Sequence, residues 1–135
     1  AYGLSVCDIL KISDNEIQWF SGKEDYTEGI HMLQQTYQIP LILLSMGKDG
    51  SRAYYKDMLV EVPAFLQKNT IETTGAGDTF GACCLHHILK YGLDNLTKQQ
   101  LKEMLTFANA AASIITTRKG ALRVMPSLEE IQRLL

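Results

Sequence analysis

Residues 71–80, Ile-Glu-Thr-Thr-Gly-Ala-Gly-Asp-Thr-Phe, contain the residue types best suited to chemistry in this chain. Gly75, Ala76 and Gly77 have little or no side chain, so their backbone N–H groups can come very close to a bound group. The residues that follow have a helical composition without a helix breaker for several turns. The loop is therefore expected at a helix N-terminus, where free N–H groups bind anions such as phosphate. We predict a phosphate site at residues 75–78, which we call the anion loop.

Asp78 is the unusual member of this loop, because a carboxylate next to a phosphate site repels the ligand unless it has a chemical role. The role that fits is accepting a proton from an attacking hydroxyl group. The alternative is an ordinary turn in which Asp78 caps the helix, and a lone Gly-x-Gly would favour that alternative. The full string from Thr73 to Thr79 is more specific and favours the catalytic interpretation.

Composition limits the class of protein. The chain has 135 residues, of which 46% are hydrophobic, and a formal net charge of -2, which is enough apolar material for one domain core. No basic block indicates nucleic-acid binding, and no apolar run is long enough to cross a membrane. The sequence begins Ala-Tyr-Gly-Leu, without an initiator Met or the layout of a signal peptide, so we expect a piece of a longer chain. Its three cysteines do not make a disulfide framework and favour a reducing cytoplasm.

The first part of the sequence predicts a βαβ unit. Residues 5–12 are mostly aliphatic and predict a buried strand, after which Ser13 and Glu16 form a capping box that opens a short helix. Residues 26–38 have apolar positions at helical intervals and predict a second helix. The apolar run at residues 40–45 predicts a central strand covered on both faces. Strand, helix and strand in this order predict a parallel sheet.

Residues 45–50, Ser-Met-Gly-Lys-Asp-Gly, follow the carboxyl end of that central strand. This is the edge at which open α/β sheets bind ligands. We call these residues the strand-end turn. Standing alone, the spacing of Ser45, Gly47 and Gly50 indicates only a tight turn.

The remaining sequence predicts a hairpin and three helices. The adjacent pairs Cys83-Cys84 and His86-His87 do not predict a metal site, because neighbouring residues on a helix face different directions. The predicted elements are a hairpin of residues 52–56 and 58–62, a helix from about Gly77 to Tyr91, a helix capped by Thr97 that runs to about Ile115, and a terminal helix opened by a capping box of Ser127 and Glu130.

The order of these motifs resembles the PfkB family of ribokinase-like carbohydrate kinases. Residues 72–78 match the family signature Asp-Thr-x-Gly-Ala-Gly-Asp except at Glu72, and Ser-Asp-Asn-Glu at residues 13–16 is similar to fructokinase-like members. Residues 107–121 contain Ala-Asn-Ala-Ala-Ala and Thr-Arg-Lys-Gly-Ala, which resemble a further block of the family. The resemblance implies the C-terminal portion of a ribokinase-like three-layer α/β/α sandwich, with a mostly parallel sheet, helices on both faces and one β-hairpin.

The resemblance also implies roles for the matched residues. Asp78 would take the proton of a sugar hydroxyl, while the N–H groups of Gly75, Ala76 and Gly77 would stabilise the transferring phosphoryl group. The implied cofactors are ATP and Mg²⁺, with Glu16 in the outer shell of the metal. The residues implied to lie against the nucleotide are Ser45, Gly47, Gly50, Thr74 and Asn109, with Asn109 near the adenine.

A monovalent-cation site, for K⁺, is a further implication of the resemblance. Two positions depart from the family pattern: Glu72 is one methylene longer than the usual Asp, and Val124 replaces a serine that some members use. The implied ligands are Glu72, the carbonyl of Thr74 and the segment around Ile115, Arg118 and Gly120.

The implied function of the intact protein is ATP-dependent phosphorylation of a sugar hydroxyl, with fructose or a similar sugar as the acceptor. A nucleoside or 2-keto-3-deoxy sugar acid kinase of the same fold, and a non-catalytic nucleotide-binding or interaction fragment, are the open alternatives. We expect residues 1–135 to be the C-terminal nucleotide-binding portion, with the N-terminal sugar-binding half and its lid absent, and therefore inactive alone. The sheet edge and apolar faces of such a portion predict a homodimer or other self-association.

Overall fold

The computed structural model describes residues 2–71, 73–120 and 125–135. The chain divides into two compact units. The first comprises Ala1–Met46 and Arg52–Val60, and the second comprises Gly47–Ser51 and Glu61–Leu135. Each unit has a hydrophobic cluster of its own.

The described residues form helices and strands close to the predicted ones. In chain order they are α1 (Tyr2–Ser5), β1 (Ile9–Ser13), α2 (Asp14–Ser21), α3 (Tyr26–Tyr37), β2 (Leu41–Ser45), a 3₁₀ turn (Gly47–Asp49), β3 (Ser51–Tyr55), β4 (Met58–Val62), α4 (Ala76–Tyr91), α5 (Lys98–Ile115) and α6 (Leu128–Leu134).

The strands form one sheet in the order β1-β2-β3-β4. β1 and β2 pair in parallel, from Ile9 opposite Leu41 to Ser13 opposite Ser45, so the predicted βαβ unit is confirmed. β3 and β4 are neighbours joined by two residues, which confirms the hairpin and makes the sheet mixed. The carboxyl ends of β1 and β2 therefore place two serine residues side by side, as the parallel register requires.

Strand β2 forms the centre of the first unit. All four residues from Leu41 to Leu44 are buried, which confirms the prediction of a strand covered on both faces. Ile17 of α2, and Ile30 and Leu33 of α3, are completely buried in the cluster that also contains Ile42 and Leu44. Burial of these side chains holds α2 and α3 against the sheet and fixes the ends of β1 and β2.

The prediction of a strand from residue 5 onward is wrong for its first four residues. Tyr2–Ser5 is a short helix, and β1 begins only at Ile9. The Ser5 hydroxyl donates to the Tyr2 carbonyl over 2.7 Å, and the Cys7 N–H donates to the Leu4 carbonyl over 3.4 Å. Local bonds of this kind compete with strand pairing and are invisible in an apolar pattern.

Helix caps confirm the predicted starts of α2, α5 and α6. Ser13 and Glu16 form the predicted capping box, as do Ser127 and Glu130. Thr97 caps α5 as predicted, and Gln100 completes a third capping box there. These side chains satisfy N–H groups that a helix start leaves unpaired.

Helices α4 and α5 form the body of the second unit. The inward face of α5 is rich in small residues, with Ala108, Ala110 and Ala111 completely buried, so neighbouring elements pack closely against it. Ile131 of α6 joins the same cluster. Within the described ranges, no helix is long and apolar enough to cross a membrane.

Candidate functional site

The anion loop is built on a tight turn. The Ala76 N–H donates to the Thr73 carbonyl over 3.2 Å, and Gly75 has φ 82° and ψ -6°. Thr74 lies between them without a positive φ, which makes residues 73–76 a type II turn with Gly75 in the position that requires a left-handed backbone. A side chain at Gly75 would strain this conformation, so the glycine sets the direction in which α4 begins.

The start of α4 leaves backbone donors available. In the part of the chain that the structure describes, no acceptor is hydrogen-bonded to the N–H groups of Gly75, Gly77 or Asp78. Ala76 differs from the expectation, because its N–H is used in the turn, as the fourth residue of a type II turn requires. Gly75 caps the helix without a side-chain hydrogen bond, so among the described residues no side chain takes the cap position that an anion could occupy.

Asp78 is exposed in the first turn of α4, and it is the only acidic residue of that turn. Its neighbours anchor the helix: Thr79 and Phe80 are 2% and 3% exposed. The Thr79 hydroxyl contacts the Met125 sulfur at 3.5 Å. Buried residues directly after Asp78 therefore fix the backbone from which this carboxylate projects, in the same helical turn as the free N–H groups.

The strand-end turn has the predicted geometry. Ser45 ends β2 in the first unit, and Gly47 and Gly50, in the second unit, have φ values of 55° and 97°. The Gly50 N–H donates to the Gly47 carbonyl over 3.2 Å and closes the turn. A side chain at Gly50 would lie 2.2 Å from the Val62 carbonyl oxygen, whereas open space surrounds Gly47. Gly50 is therefore required by backbone packing within the fold itself.

Asn109 lies in α5 and is 7% exposed. Its amide Nδ2 donates to the carbonyls of Val62 and Pro63 over 3.2 and 3.1 Å. Its Oδ1 accepts the Ser51 hydroxyl over 2.9 Å. The side chain implied to lie near the adenine therefore has both amide hydrogens engaged within the second unit.

Glu16 belongs to the first unit and is exposed. Its Oε2 accepts the Ser13 N–H over 2.8 Å, and this bond is the main reason why the pKa of Glu16 is lowered, with the Ser13 hydroxyl and Lys11 adding to the effect. No other described group is hydrogen-bonded to its second oxygen, Oε1. An ionised carboxylate with one oxygen left over suits a water-mediated contact with a divalent cation.

The segment implied for a monovalent cation is held by other bonds. The Ile115 carbonyl accepts the Arg118 N–H over 3.1 Å, and the Arg118 guanidinium pairs with the Glu130 carboxylate. Gly120 has φ 107°. Glu72 and Val124 lie outside the described residues, and among the described residues no group of three or more His, Cys, Asp or Glu could hold a metal ion. The K⁺ site stays a prediction.

The cysteines of α4 are shielded thiols. Burial raises the pKa of Cys83 to about 11 and raises that of the more deeply buried Cys84 further. His87 Nδ1 lies 3.0 Å from the Cys83 carbonyl, and its ring packs 5.0 Å from that of Phe107. These contacts are those of packing residues, since a thiol with a raised pKa is a poor nucleophile and a poor metal ligand.

Sequence reasoning missed Ser51. It follows Gly50 directly and is completely buried, yet its partner Asn109 is 58 positions away. The available signal was a small polar residue at the start of a predicted hairpin strand, directly after Gly50, but nothing in the spacing indicates its partner.

The sequence from residue 2 to residue 128 matches the profile of the pfkB family carbohydrate kinase. Fructokinase-1 of Zea mays is 32% identical over 128 residues, which are 95% of this chain and 39% of that protein. The fructokinase of Klebsiella pneumoniae is 34% identical over 131 residues, which are 96% of this chain and 42% of that protein. The chain thus spans about two fifths of the length of these relatives.

A solved fructokinase structure also matches nearly all of this chain. The fructokinase of Vibrio cholerae O395, in a form bound to fructose, ADP and calcium ion, superposes with a TM-score of 0.86 at 25% identity. The match covers 99% of this chain and 42% of that chain. The fold is therefore ribokinase-like, as the sequence resemblance implied.

Proposed function

This chain belongs to the pfkB family of carbohydrate kinases, and we propose that the protein transfers the γ-phosphoryl group of ATP to a hydroxyl group of a sugar. The observation that carries the proposal is the start of α4, where three N–H groups without a described acceptor share one helical turn with the exposed Asp78 carboxylate. Fructose is the first acceptor to test, because the matched relatives named above are fructokinases.

Asp78 is the proposed base of this reaction. It orients the acceptor hydroxyl and takes its proton as the hydroxyl oxygen bonds to the γ-phosphorus, while the bond from that phosphorus to its bridging oxygen breaks and ADP leaves. The N–H groups of Gly75, Gly77 and Asp78 are proposed to stabilise the charge on the transferring group. The Ala76 N–H closes the turn at residues 73–76, which orients the other three N–H groups.

The nucleotide is proposed to lie along the strand-end turn, with Ser45, Gly47, Gly50 and Thr74 near it. Thr74 is exposed in the type II turn, and Gly47 borders open space, so both positions allow a ligand to approach. Mg²⁺ would neutralise phosphate charge, as phosphoryl transfer generally requires, and Glu16 is proposed to contact it through water. Potassium activation through residues 115–120 is proposed only as a further test.

We propose that residues 1–135 form the C-terminal nucleotide portion of the kinase, with most sugar contacts lying elsewhere. The chain covers about two fifths of the length of its relatives, which supports its being one portion of a kinase. A nucleotide portion alone cannot hold an acceptor in line or exclude water, so it would bind ATP with little or no transfer.

A panel of acceptors tests the function. ADP release from Mg·ATP is measured for the intact protein, including the proposed sugar-binding half, with fructose, ribose, a nucleoside and a 2-keto-3-deoxy sugar acid, each with a sample that lacks acceptor. Fructose-dependent release supports the proposal. ADP release that occurs only with the nucleoside or the sugar acid would assign the kinase to that substrate class. Saturable ATP binding without ADP release for any acceptor would indicate a non-catalytic nucleotide-binding protein.

A reducing cytoplasmic compartment and self-association complete the proposal. Cys7, Cys83 and Cys84 are free, which suits a reducing compartment.

Strands β1 and β4 end the described sheet, and Leu85 and Leu89 of α4 are 49% and 86% exposed. We propose that a second copy of the chain covers these exposed edges and leucine side chains. A sedimentation coefficient that stays at the monomer value as the protein concentration rises would contradict self-association.

A further inference from the structure

A buried polar cluster of Ser51 and Asn109 adjoins the strand-end turn in the chain, because Ser51 directly follows Gly50. Ser51 is completely buried and Asn109 is 7% exposed. The two side chains are joined by the hydrogen bond of 2.9 Å between the Ser51 hydroxyl and Asn109 Oδ1. Buried polar groups are costly unless they are paired, so each of these residues depends on the other.

Asn109 also holds the chain that follows β4. Its Nδ2 donates to the Val62 and Pro63 carbonyls. The Val62 carbonyl oxygen is the atom that a side chain at Gly50 would meet at 2.2 Å, and the Pro63 Cα would lie at 2.9 Å. The end of the turn thus packs on a backbone segment that Asn109 fixes.

The turn is therefore held by Asn109 from two sides. One connection runs through Ser51, the residue directly after Gly50, and the other runs through Val62. An amide group with both hydrogens donated to backbone carbonyls has no donor left for a ligand. Only a lone pair of Oδ1 stays available, on a side chain that is almost completely buried.

We propose that Asn109 and Ser51 are positioning residues for the strand-end turn, and that the Asn109 side chain does not read the adenine base. This inference rests on the proposed function, because it assumes that ATP lies along the turn. On this inference, Asn109 acts on the nucleotide site by fixing the shape of the turn. Loss of the Asn109 side chain should therefore weaken the binding of all purine nucleotides without changing the preference among them.

The test compares four variants with the wild-type protein: Ser51→Ala, Asn109→Ala, the double variant and Ser113→Ala. Ser113 is the matched control, because it is another buried polar residue of α5 and accepts a hydrogen bond from a loop side chain, Gln67, over 3.2 Å. Dissociation constants for Mg·ATP and Mg·GTP are measured by titration calorimetry. Amide hydrogen exchange of residues 47–51 is measured without nucleotide.

The expected result is about tenfold weaker ATP binding, or about 1.4 kcal/mol, for Asn109→Ala, which loses both connections, and a smaller but measurable loss for Ser51→Ala, which breaks one of them. The double variant should bind no more weakly than Asn109→Ala, because both substitutions break the same connection. The ratio of the ATP and GTP constants should stay within about twofold, and exchange in the turn should accelerate in these variants but not in Ser113→Ala. Ser51→Ala keeps the test decisive if Asn109→Ala does not fold.

Three results would overturn the inference, and they have different meanings. If Asn109→Ala changes the ratio of ATP to GTP affinity while Ser51→Ala binds like the wild type, Asn109 contacts the base and only the inference fails. If exchange in the turn is unchanged in both single variants, the two residues do not hold the turn, and again only the inference fails. If the wild-type protein binds neither nucleotide, the proposed function fails and the inference fails with it.

Discussion

Gly47 and Gly50 belong to the same turn but are glycines for different reasons. Both have a positive φ, at 55° and 97°. Gly47 borders open space, so only its backbone conformation favours glycine. Gly50 has in addition the Val62 carbonyl at 2.2 Å from the position of a side-chain carbon, and that contact is with backbone that cannot move aside cheaply.

We therefore expect Gly50→Ala and Gly47→Ala to differ in the free energy of unfolding. The Gly47 substitution should cost about 1 kcal/mol, the ordinary penalty of a left-handed backbone. The Gly50 substitution should cost roughly 2–4 kcal/mol, since steric contact adds to that penalty. Urea denaturation followed by circular dichroism measures both, and equal losses would show that Gly50 is not packed as described.

At the level of residues, the sequence predicted where a residue lies in a helix or turn better than it predicted the hydrogen-bond partners of that residue. The signature string placed Asp78 at the start of a helix, and the structure confirms that placement. It did not indicate that the Ala76 N–H closes a turn, or that Asn109 is bonded to Ser51 and two carbonyls. Local patterns describe neighbours along the chain, whereas these bonds depend on tertiary packing.

Helix ends are the elements that carry the most predictable chemistry of this fold. Three helices begin with a capping box, and two of the boxes were predicted from Ser-x-x-Glu spacing alone. The start of β1 was predicted wrongly, because the strand begins at Ile9, four residues later than expected, after the short helix α1. α3 begins at Tyr26 as predicted, and its cap is Asp25, whose carboxylate accepts the Thr27 N–H over 2.7 Å.

Glu16 should make the stability of the first capping box depend on pH. The Ser13 N–H, then the Ser13 hydroxyl, and Lys11 hold its pKa below the ordinary value of 4.5 in the folded state. A lowered folded-state pKa stabilises the protein above the unfolded-state pKa, and this stabilisation is lost as the pH falls through the folded-state value.

Glu16→Gln should therefore be less stable than the wild type at neutral pH and equally stable well below pH 4.5. The free energy of unfolding at several pH values gives the difference. Asp14→Asn in the same helical turn is the control, since its carboxylate takes no part in the capping box. A difference between Glu16→Gln and wild type that persists unchanged into acid would contradict this account.

Glu130 should contribute more to stability than its neighbour Glu129. Its carboxylate accepts the Ser127 N–H, which is the main cause of its lowered pKa, and it also pairs with Arg118 beyond the end of α5. Among the described residues, the ion pair of Glu129 is an exposed one with Arg133 at 4.0 Å. Exposed pairs of that kind contribute little to stability.

The expected outcome is a larger drop in melting temperature for Glu130→Gln than for Glu129→Gln. Differential scanning calorimetry at neutral pH compares the two, and the substitutions remove the same charge from adjacent positions. Equal melting temperatures would mean that neither the cap nor the Arg118 pair stabilises α6.

For the whole molecule, the family and the fold were predictable because signature, capping box and alanine-rich block occur in one order along the chain. The acceptor was not, because the residues that carry the resemblance are those that we propose to form the nucleotide portion. The chain spans about two fifths of its relatives, so the choice of sugar belongs to the proposal and not to the described site.

Binding of ATP should be visible as stability of the whole chain. A ligand that binds only the folded state at 100 times its dissociation constant adds about 2.7 kcal/mol to the free energy of unfolding. Mg·ATP should therefore raise the melting temperature in a concentration-dependent way, while equimolar magnesium chloride should not. No shift with ATP would place the nucleotide site outside these residues.

The most direct test of the central claim compares phosphoryl transfer by the intact kinase that contains residues 1–135, as wild type and with Asp78→Asn or Asp57→Asn. Asp57 is an exposed aspartate in the β3–β4 turn and is not one of the anion-loop residues, so its substitution removes the same charge without changing that loop. ADP formation with fructose and the dissociation constant of Mg·ATP are measured on the same samples. We expect Asp78→Asn to lose transfer by at least about 100-fold while ATP affinity stays within a few fold, because a positioned proton acceptor contributes about 10²–10⁴ to rate. Transfer by Asp78→Asn at the wild-type rate would contradict this expectation.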